Sequence, residues 1–203
     1  MLKRVFDIAV SAVALIVLVP VFAVLAAVVA VDSGLPVLFA QERVGQRFRR
    51  FRLWKFRTMK KGAGMQLTVG GDARITRAGS FLRRTKLDEL PQLWNVLIGD
   101  MSLVGPRPEV PSYVELRRAE YEKVLRIRPG ITDLASLVFR DEEMLLAQAT
   151  QPERYYREVI LPEKLRIAER YIETQSFTGD CAILARTAFA IASRPAGDMR
   201  VQD

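Results

Sequence analysis

Apolar positions follow three different patterns along the chain. From Val5 to Val31 they run nearly unbroken, interrupted only by Asp7, Ser11 and Pro20. From Arg47 to Met59, Phe48, Phe51, Leu53, Trp54 and Phe56 alternate with basic residues, which suits a short hairpin, and Val37-Leu38-Phe39-Ala40 just before it predicts a short strand. After Asp88, residues Leu90, Leu93, Trp94 and Leu97 fall at helical spacing, and Gly99 is placed to stop the helix. Ser80 is placed to cap a short basic helix ahead of that stretch. Further helices are predicted over 111–125, 141–148 and 155–172, the last kinked or divided by Pro162. The stretch Thr178 to Ala192 is amphipathic and suits a membrane interface or, alternatively, packing against the core. The resulting fold class is mainly α with a small β-hairpin, α+β. With neither an internal repeat nor a clear linker, the chain divides into a membrane helix over 1–32, one domain over 33–193 and a disordered tail over 194–203. The glycine-rich stretch Lys61 to Gly71 reads as a loop, either linker or lid.

The apolar segment is too long for a signal peptide and has no convincing cleavage site before the basic residues that follow. As one helix of about 27 residues it would reach ~40 Å, enough for a ~30 Å hydrocarbon core. Pro20 divides it into pieces of ~22 Å and ~16 Å, neither of which spans. Lys3 and Arg4 precede the segment and a dense basic run from Arg43 to Lys61 follows it. Basic flanks favour the cytoplasmic side, and a re-entrant helix satisfies both of them, whereas a spanning helix satisfies one. On charge and proline alone, both topologies remain open.

The stretch Leu87 to Glu109 carries the candidate chemistry. Pro91 is tolerated only within a first turn, which places Asp88 at the N-cap and Glu89 at the first helical position. There a carboxylate meets free N–H groups and the positive helix end, is held ionised, and lies where phosphate is also attracted. That turn is expected at the surface. A capping aspartate with a solvated neighbour is the competing reading of the pair. Arg107, between Pro106 and Pro108, sits on stiff backbone and can offer a bidentate fork to phosphate.

Composition narrows what such a site can do. The 203 residues fit one domain, and 31 basic against 23 acidic residues give a net charge of +8, which calls for an anionic partner. There is no histidine and a single cysteine, Cys181. Ser-His-Asp and Cys-His catalysis, His-ligated metals and disulfides within the chain are thereby excluded. What remains are carboxylates, Lys, Arg, Tyr and hard cations held by oxygen. The basic and aromatic patch lies beside the apolar segment, so anionic phospholipid is a better partner for it than nucleic acid.

Several segments together resemble the bacterial sugar transferases, monotopic phosphoglycosyltransferases. They are Lys3-Arg4-Val5-Phe6-Asp7, Pro20, Gln41-Glu42-Arg43-Val44-Gly45, Lys55-Phe56-Arg57-Thr58-Met59, Asp72 to Thr76, Leu87 to Glu109, and Arg128-Pro129-Gly130-Ile131-Thr132. The likeness is dense from Leu2 to about Leu137 and weaker beyond. It implies a re-entrant N-terminal helix on a compact monotopic domain at the cytoplasmic face of the bacterial inner membrane. It also implies transfer of a phosphosugar from a nucleotide diphosphate sugar, usually of uridine, to polyprenol phosphate with release of nucleoside monophosphate, as the first membrane step of surface glycan assembly. By the same resemblance Asp88 is the nucleophile of a covalent phosphosugar intermediate. Glu89, with Asp88, holds Mg²⁺, for which Mn²⁺ can substitute, and Lys55, Arg57, Arg107 and Arg128 bind substrate. A homodimer is compatible with it.

Three departures stand out. Val19 precedes Pro20 where the family often has Ser, Asp133 follows Thr132 where Gly is common, and a second acid of some members aligns with Ala168. Glu169 or the Asp141-Glu142-Glu143 cluster are candidate substitutes for that acid, and neither is given its role. The rival to an enzyme is a catalytically inactive, membrane-anchored scaffold of a glycan assembly complex.

Overall fold

A computed structural model of the protein describes residues 1–60 and 67–193. Gly62 and Gly64 of the glycine-rich loop, and the tail expected over 194–203, lie outside the described residues. Helices dominate, accompanied by two small two-stranded sheets, as an α+β class requires.

The apolar segment folds as two helices, α1 (Leu2–Val17) and α2 (Val19–Ser33), bent by 63°. Among the described residues no single helix is long and apolar enough to cross a membrane. The break falls at Leu18 (φ −86°, ψ 4°), two residues before the proline that the sequence marks. Pro20 then lies in the first turn of α2, where its missing N–H leaves no bond unmade.

The few polar residues of this segment face the rest of the protein. Asp7 is buried and accepts hydrogen bonds from Ser102 Oγ (2.8 Å) and Leu103 N–H (3.2 Å). Arg4 donates to Val96 O (2.7 Å) and Leu97 O (3.1 Å), and Lys3 donates to Val104 O (2.9 Å) and Asp180 (2.5 Å). At the far end of the pair, Arg57 donates to the carbonyls of Ser33 and Gly34 and to Ser33 Oγ, closing the C-terminus of α2 with a cation where the helix dipole favours one.

The hairpin is larger than the alternation suggested. Strand β1 (Leu38–Val44) pairs antiparallel with β2 (Arg50–Phe56), Leu38 opposite Phe56 and Val44 opposite Arg50. Helix α3 (Arg77–Thr85) is capped by Thr76, whose side chain accepts from Gly79 N–H; Ser80, expected as the cap, lies within the helix. Leu87–Glu89 form a 3₁₀ turn leading into α4 (Gln92–Ile98), which Gly99 ends in the left-handed conformation (φ +100°). Asn95 on α4 accepts from Trp54 N–H (3.2 Å) and donates to Arg52 O (2.8 Å), docking the helix along the edge of β2 as a further strand would.

Strand β3 (Ser102–Val104) follows. The single helix expected over 111–125 is two, α5 (Pro111–Leu116) and α6 (Arg118–Val124), separated at Arg117. Strand β4 (Gly130–Thr132) pairs parallel with β3. Gly105 and Gly130 meet so closely that a Cβ on Gly130 would overlap the Gly105 backbone. Helices α7 (Leu134–Val138), α8 (Glu142–Gln148) and α9 (Pro152–Tyr155) come next. A π turn over Tyr156–Ile160 then widens the helix just before Pro162, so that α10 (Leu161–Glu173) begins where the ring needs no N–H. Helix α11 (Phe177–Ala192) buries Ile183 and leaves Phe189 in solvent.

Three apolar clusters hold these pieces together. One joins Val44, Tyr113, Val114, Tyr121, Tyr156 and Leu165; a second joins Leu53, Val96, Met101, Leu103, Tyr171 and Ile183; a third joins Leu25, Val29, Phe56 and Leu82. Leu53 and Phe56 place β2 in the second and third clusters, and Leu90 packs against both. The stretch Leu87 to Leu90 is thus fixed at the seam where the N-terminal helices meet the rest of the domain.

Candidate active site

Strand geometry brings the first cation in. Residues two apart share a face of β2, so Lys55 continues the inward face of Phe51 and Leu53 and reaches Glu89, its Nζ 3.6 Å from Oε1. Arg107 arrives from the other side. Its guanidinium grips both oxygens of Glu89, at 2.5 Å and 3.2 Å. The loop that carries it is anchored by Gly105 N–H to Thr132 O and by Gly130 N–H to Pro106 O (3.0 Å). Asp133 fixes it further, accepting from Arg107 N–H (3.1 Å) through one oxygen and from Ser136 N–H (2.6 Å) through the other. Nearby, half-buried Glu109 takes Arg43 and the Tyr156 hydroxyl, tying the same loop to β1 and the π turn.

The two adjacent carboxylates have opposite surroundings. Burial alone would raise the pKa of Glu89, but Arg107, Lys55 and Lys86 outweigh it and hold the group well below the ordinary carboxylate range. Asp88 is buried too, and its Oδ1 has no hydrogen-bond partner among the described residues. Burial and the charge of Glu89 raise its pKa against the opposing pull of Lys55, Lys86 and Arg83. The capping geometry expected for Asp88 is absent: Leu87–Glu89 make a 3₁₀ turn with no side-chain cap, and α4 begins only at Gln92. Nor is the turn at the surface, since Asp88 and Glu89 are 4% and 7% exposed. The remaining shifts follow from the same contacts. Burial lowers Lys55 to about 8 despite Glu89, and the charge of Glu89 raises Arg107 further.

Lys55, Asp88, Glu89 and Arg107 are therefore brought together. Arg57 and Arg128 are engaged elsewhere, Arg57 on the end of α2 and Arg128 on Gly99 O (2.9 Å). Glu169, Glu142 and Glu143 pair with Lys123, Lys164 and Arg83, respectively. Two contributors escaped the sequence reading. Asp133 is adjacent to the Arg-Pro-Gly motif, yet only the β3–β4 pairing shows that it meets Arg107. Lys86 ends α3 and lies 3.8 Å from Glu89.

No group of three acids, Cys or His able to enclose a metal occurs among the described residues. The orphaned Asp88 Oδ1 and the unused lone pairs of Glu89 nonetheless suit a hard cation that completes its shell with water and phosphate oxygens. Chemically, the arrangement offers one bare carboxylate beside a firmly ionised one, with cations on the approach to both. That is what attack on a polyanion demands.

A family model described as bacterial sugar transferase matches residues 1–194. An exopolysaccharide production protein of Rhizobium leguminosarum bv. phaseoli is 45% identical over 147 residues, covering 67% of this chain and 73% of that relative. The UDP-glucose:undecaprenyl-phosphate glucose-1-phosphate transferase of Klebsiella pneumoniae is 41% identical over 141 residues, covering 66% of this chain and 30% of that relative. The UDP-galactose-lipid carrier transferase of Erwinia amylovora is 31% identical over 211 residues, covering 95% of this chain and 41% of that relative. The chain thus spans between 30% and 73% of the length of these relatives.

The opposite surroundings of Asp88 and Glu89 predict opposite effects on stability. Asp88→Asn removes a buried charge without breaking a hydrogen bond to Oδ1, so its Tm at pH 7.5 should equal or exceed that of the wild type. Glu89→Gln leaves Arg107 and Lys55 without their counter-charge. It should cost about 2–3 kcal/mol, below the loss for a fully buried pair because the Arg107 side chain is 31% exposed. Thermal melts in detergent check both, and equal losses in the two variants would contradict the assignment.

Proposed function

Because the chain belongs to the bacterial sugar transferase family, we propose that it moves a phosphosugar from a nucleotide diphosphate sugar to polyprenol phosphate. The observation that carries this reading is the buried carboxylate of Asp88, unpartnered at Oδ1, beside a Glu89 held ionised by Arg107 and Lys55. The relatives named above for UDP-sugars and undecaprenyl phosphate support the substrate classes, with UDP as the expected nucleotide and surface polysaccharide as the product pathway.

Asp88 attacks the sugar-bearing phosphorus of the donor. A P–O bond forms to the carboxylate while the P–O bond to the nucleoside phosphate breaks, and nucleoside monophosphate leaves with the electron pair. A phosphate oxygen of the polyprenol phosphate then attacks the same phosphorus. The aspartyl bond breaks, Asp88 is regenerated, and the lipid diphosphate sugar departs. A raised pKa marks a carboxylate poorly stabilised as an anion, which favours it as nucleophile, and without a partner at Oδ1 it has no hydrogen bond to shed first. Lys55 and Arg107 balance the charge on the phosphoryl oxygens. Asp88 and Glu89 would hold Mg²⁺, or Mn²⁺ in its place, and the bound ion would neutralise charge on the leaving phosphate.

Both ends of the apolar helix pair are held on one domain, Lys3 and Arg4 at one end and Arg57 at the other. A spanning helix would place its ends on opposite sides of a bilayer. The 63° bend and the exposed Val13, Ile16, Val17, Val19 and Val24 around it support a re-entrant insertion from the cytoplasmic face of the inner membrane, with 33–193 as the catalytic domain. Single cysteines at Leu2 and Leu35, in a Cys181→Ser background, should both resist an impermeant maleimide added to intact cells and both react after lysis. Labelling of either from outside would remove the re-entrant reading.

The departure at Asp133 is the one feature that would favour the alternative of an inactive scaffold. That residue anchors the Arg107 backbone, so the departure leaves the constellation whole.

The pKa of Lys55 sets a pH limit. Below about 8 the side chain is the cation that the donor phosphates need; above it the charge is lost, so kcat/KM should fall with an alkaline limb near pH 8. Lys55→Arg, which stays charged, should move that limb upward in whatever activity it retains. A wild-type profile flat to pH 10 would remove the role given to Lys55.

The decisive assay supplies labelled nucleotide sugars without polyprenol phosphate. The wild type should release one equivalent of nucleoside monophosphate and keep the label on the Asp88 peptide, in a form sensitive to hydroxylamine. Turnover should begin on adding polyprenol phosphate and stop with EDTA, and Asp88→Asn should fold yet lose at least about 10³-fold in rate. Turnover by Asp88→Asn would retire the covalent route. No release from any nucleotide sugar tried would favour the scaffold.

A further inference from the structure

Lys86 occupies a backbone position ill suited to lysine. It is left-handed (φ 59°, ψ 14°), a conformation that among the described non-glycine residues occurs elsewhere only at Arg47 and Phe48. Those two form the turn of the hairpin, where Gln46, Arg47 and Gly45 are tied down by bonds to Arg126 O, Leu125 O and Arg49 O. Lys86 instead joins the end of α3 to the turn carrying Asp88 and Glu89. A Cβ in this conformation crowds the following carbonyl, so glycine or asparagine would serve the backbone better. What lysine supplies in their place is its ammonium.

That ammonium is surplus to the needs of Glu89. Both carboxylate oxygens are already gripped by Arg107, and Lys55 lies closer, at 3.6 Å against 3.8 Å for Lys86, which is beyond hydrogen-bonding distance. Lys86 is also the most open of the three cations, its side chain 49% exposed against 20% for Lys55 and 31% for Arg107. Arg83, on the preceding turn, is taken by Glu143. Lys55, Lys86 and Arg107 outnumber Asp88 and Glu89 by one positive charge. The excess therefore sits at the solvent side of the cluster. A lysine is a mobile point charge on a flexible stem, so it can leave Glu89 for an arriving anion at little cost to the clamp that Arg107 maintains.

We propose that Lys86 is a substrate-binding residue, the cation at the mouth of the site that takes a phosphate group of the incoming substrate and draws it towards Asp88. It rests on the phosphate-bearing substrates proposed above. Either the donor diphosphate or the polyprenol phosphate carries the chemistry it recognises. Its contribution is to capture, so it acts on KM and weakens with salt, whereas Lys55 and Arg107 act on the step itself.

Lys86→Gly and Lys86→Asn suit the left-handed backbone, and Lys86→Arg keeps the charge. In the full chain in detergent, Tm of the first two should equal or exceed that of the wild type. At low salt their KM should rise about tenfold, the loss expected of one charged contact, with kcat within about threefold. The difference should shrink as salt rises, and Lys86→Arg should stay near wild type. Varying nucleotide sugar and polyprenol phosphate in turn identifies the source, since the rise should follow one of them. Unchanged KM for both substrates in Gly and Asn variants that melt normally would overturn the proposal, as would a fall in kcat alone. Titration of UDP by calorimetry and of polyprenol phosphate in mixed micelles gives a readout without turnover. A wild type that turns over no nucleotide sugar, yet binds one of these ligands in a Lys86-dependent way, would sink the proposed activity and uphold Lys86. Affinities for both ligands that are indifferent to Lys86, beside normal turnover, would do the reverse.

Discussion

The grip of Arg107 on Glu89 is the contact around which the domain is arranged. A carboxylate this deeply buried is tolerated only if fixed cations compensate for the water it has lost. The fold supplies the fixed ones from two places far apart in sequence, β2 through Lys55 and the Pro-Arg-Pro loop through Arg107, while Lys86 at the end of α3 adds a looser third charge. Each placement has its own scaffold. Asn95 aligns α4 with β2, the close meeting of Gly105 with Gly130 locks the loop against β4, and Asp133 holds the Arg107 backbone. Loosening any of these would move a cation relative to Glu89.

The same contact divides the labour between neighbours. With Arg107 committed to Glu89, Asp88 is left buried and without a partner at Oδ1. Two identical functional groups on successive residues thus acquire pKa values shifted in opposite directions, the condition under which one can act as a fixed charge and the other as a reacting group. Stability is conceded at Asp88 and recovered at Glu89.

Polar residues inside an apolar helix would ordinarily weaken its place in a bilayer. Here Lys3, Arg4 and Asp7 all turn to the domain, and their partners include the ends of α4 and β3. The helix that follows the Asp88–Glu89 turn and the strand that leads to the Pro-Arg-Pro loop are therefore tied to the same apolar segment. The position of the site against the N-terminal helices is set by directional bonds as well as by packing.

Periodicity and punctuation along the sequence determined most of the elements. Gly99 ends α4 because left-handed backbone favours glycine, the stretch over 178–192 is helical, and Pro162 disturbs its helix, all consequences of forces within a few residues. The same local reasoning failed wherever two local solutions were equivalent. Thr76 and Ser80 both cap well, and the bend fell at Leu18 because Pro20 is as comfortable in a first turn as at a break. The motif singled out Asp88, Glu89, Lys55 and Arg107 by their place in a pattern, without saying which would touch. Arg57 and Arg128 matched it equally well, and tertiary structure placed them on the end of α2 and on Gly99. Whether a charge meets a ligand, a helix end or another charge depends on which segments come within a few ångströms. That is decided by β3 pairing with β4 and by α4 lying along β2, contacts between residues that no window of the sequence contains together. Asp133 and Lys86 acquired their surroundings in the same way, and burial then set the proton affinities that the chemical types of the side chains alone left open.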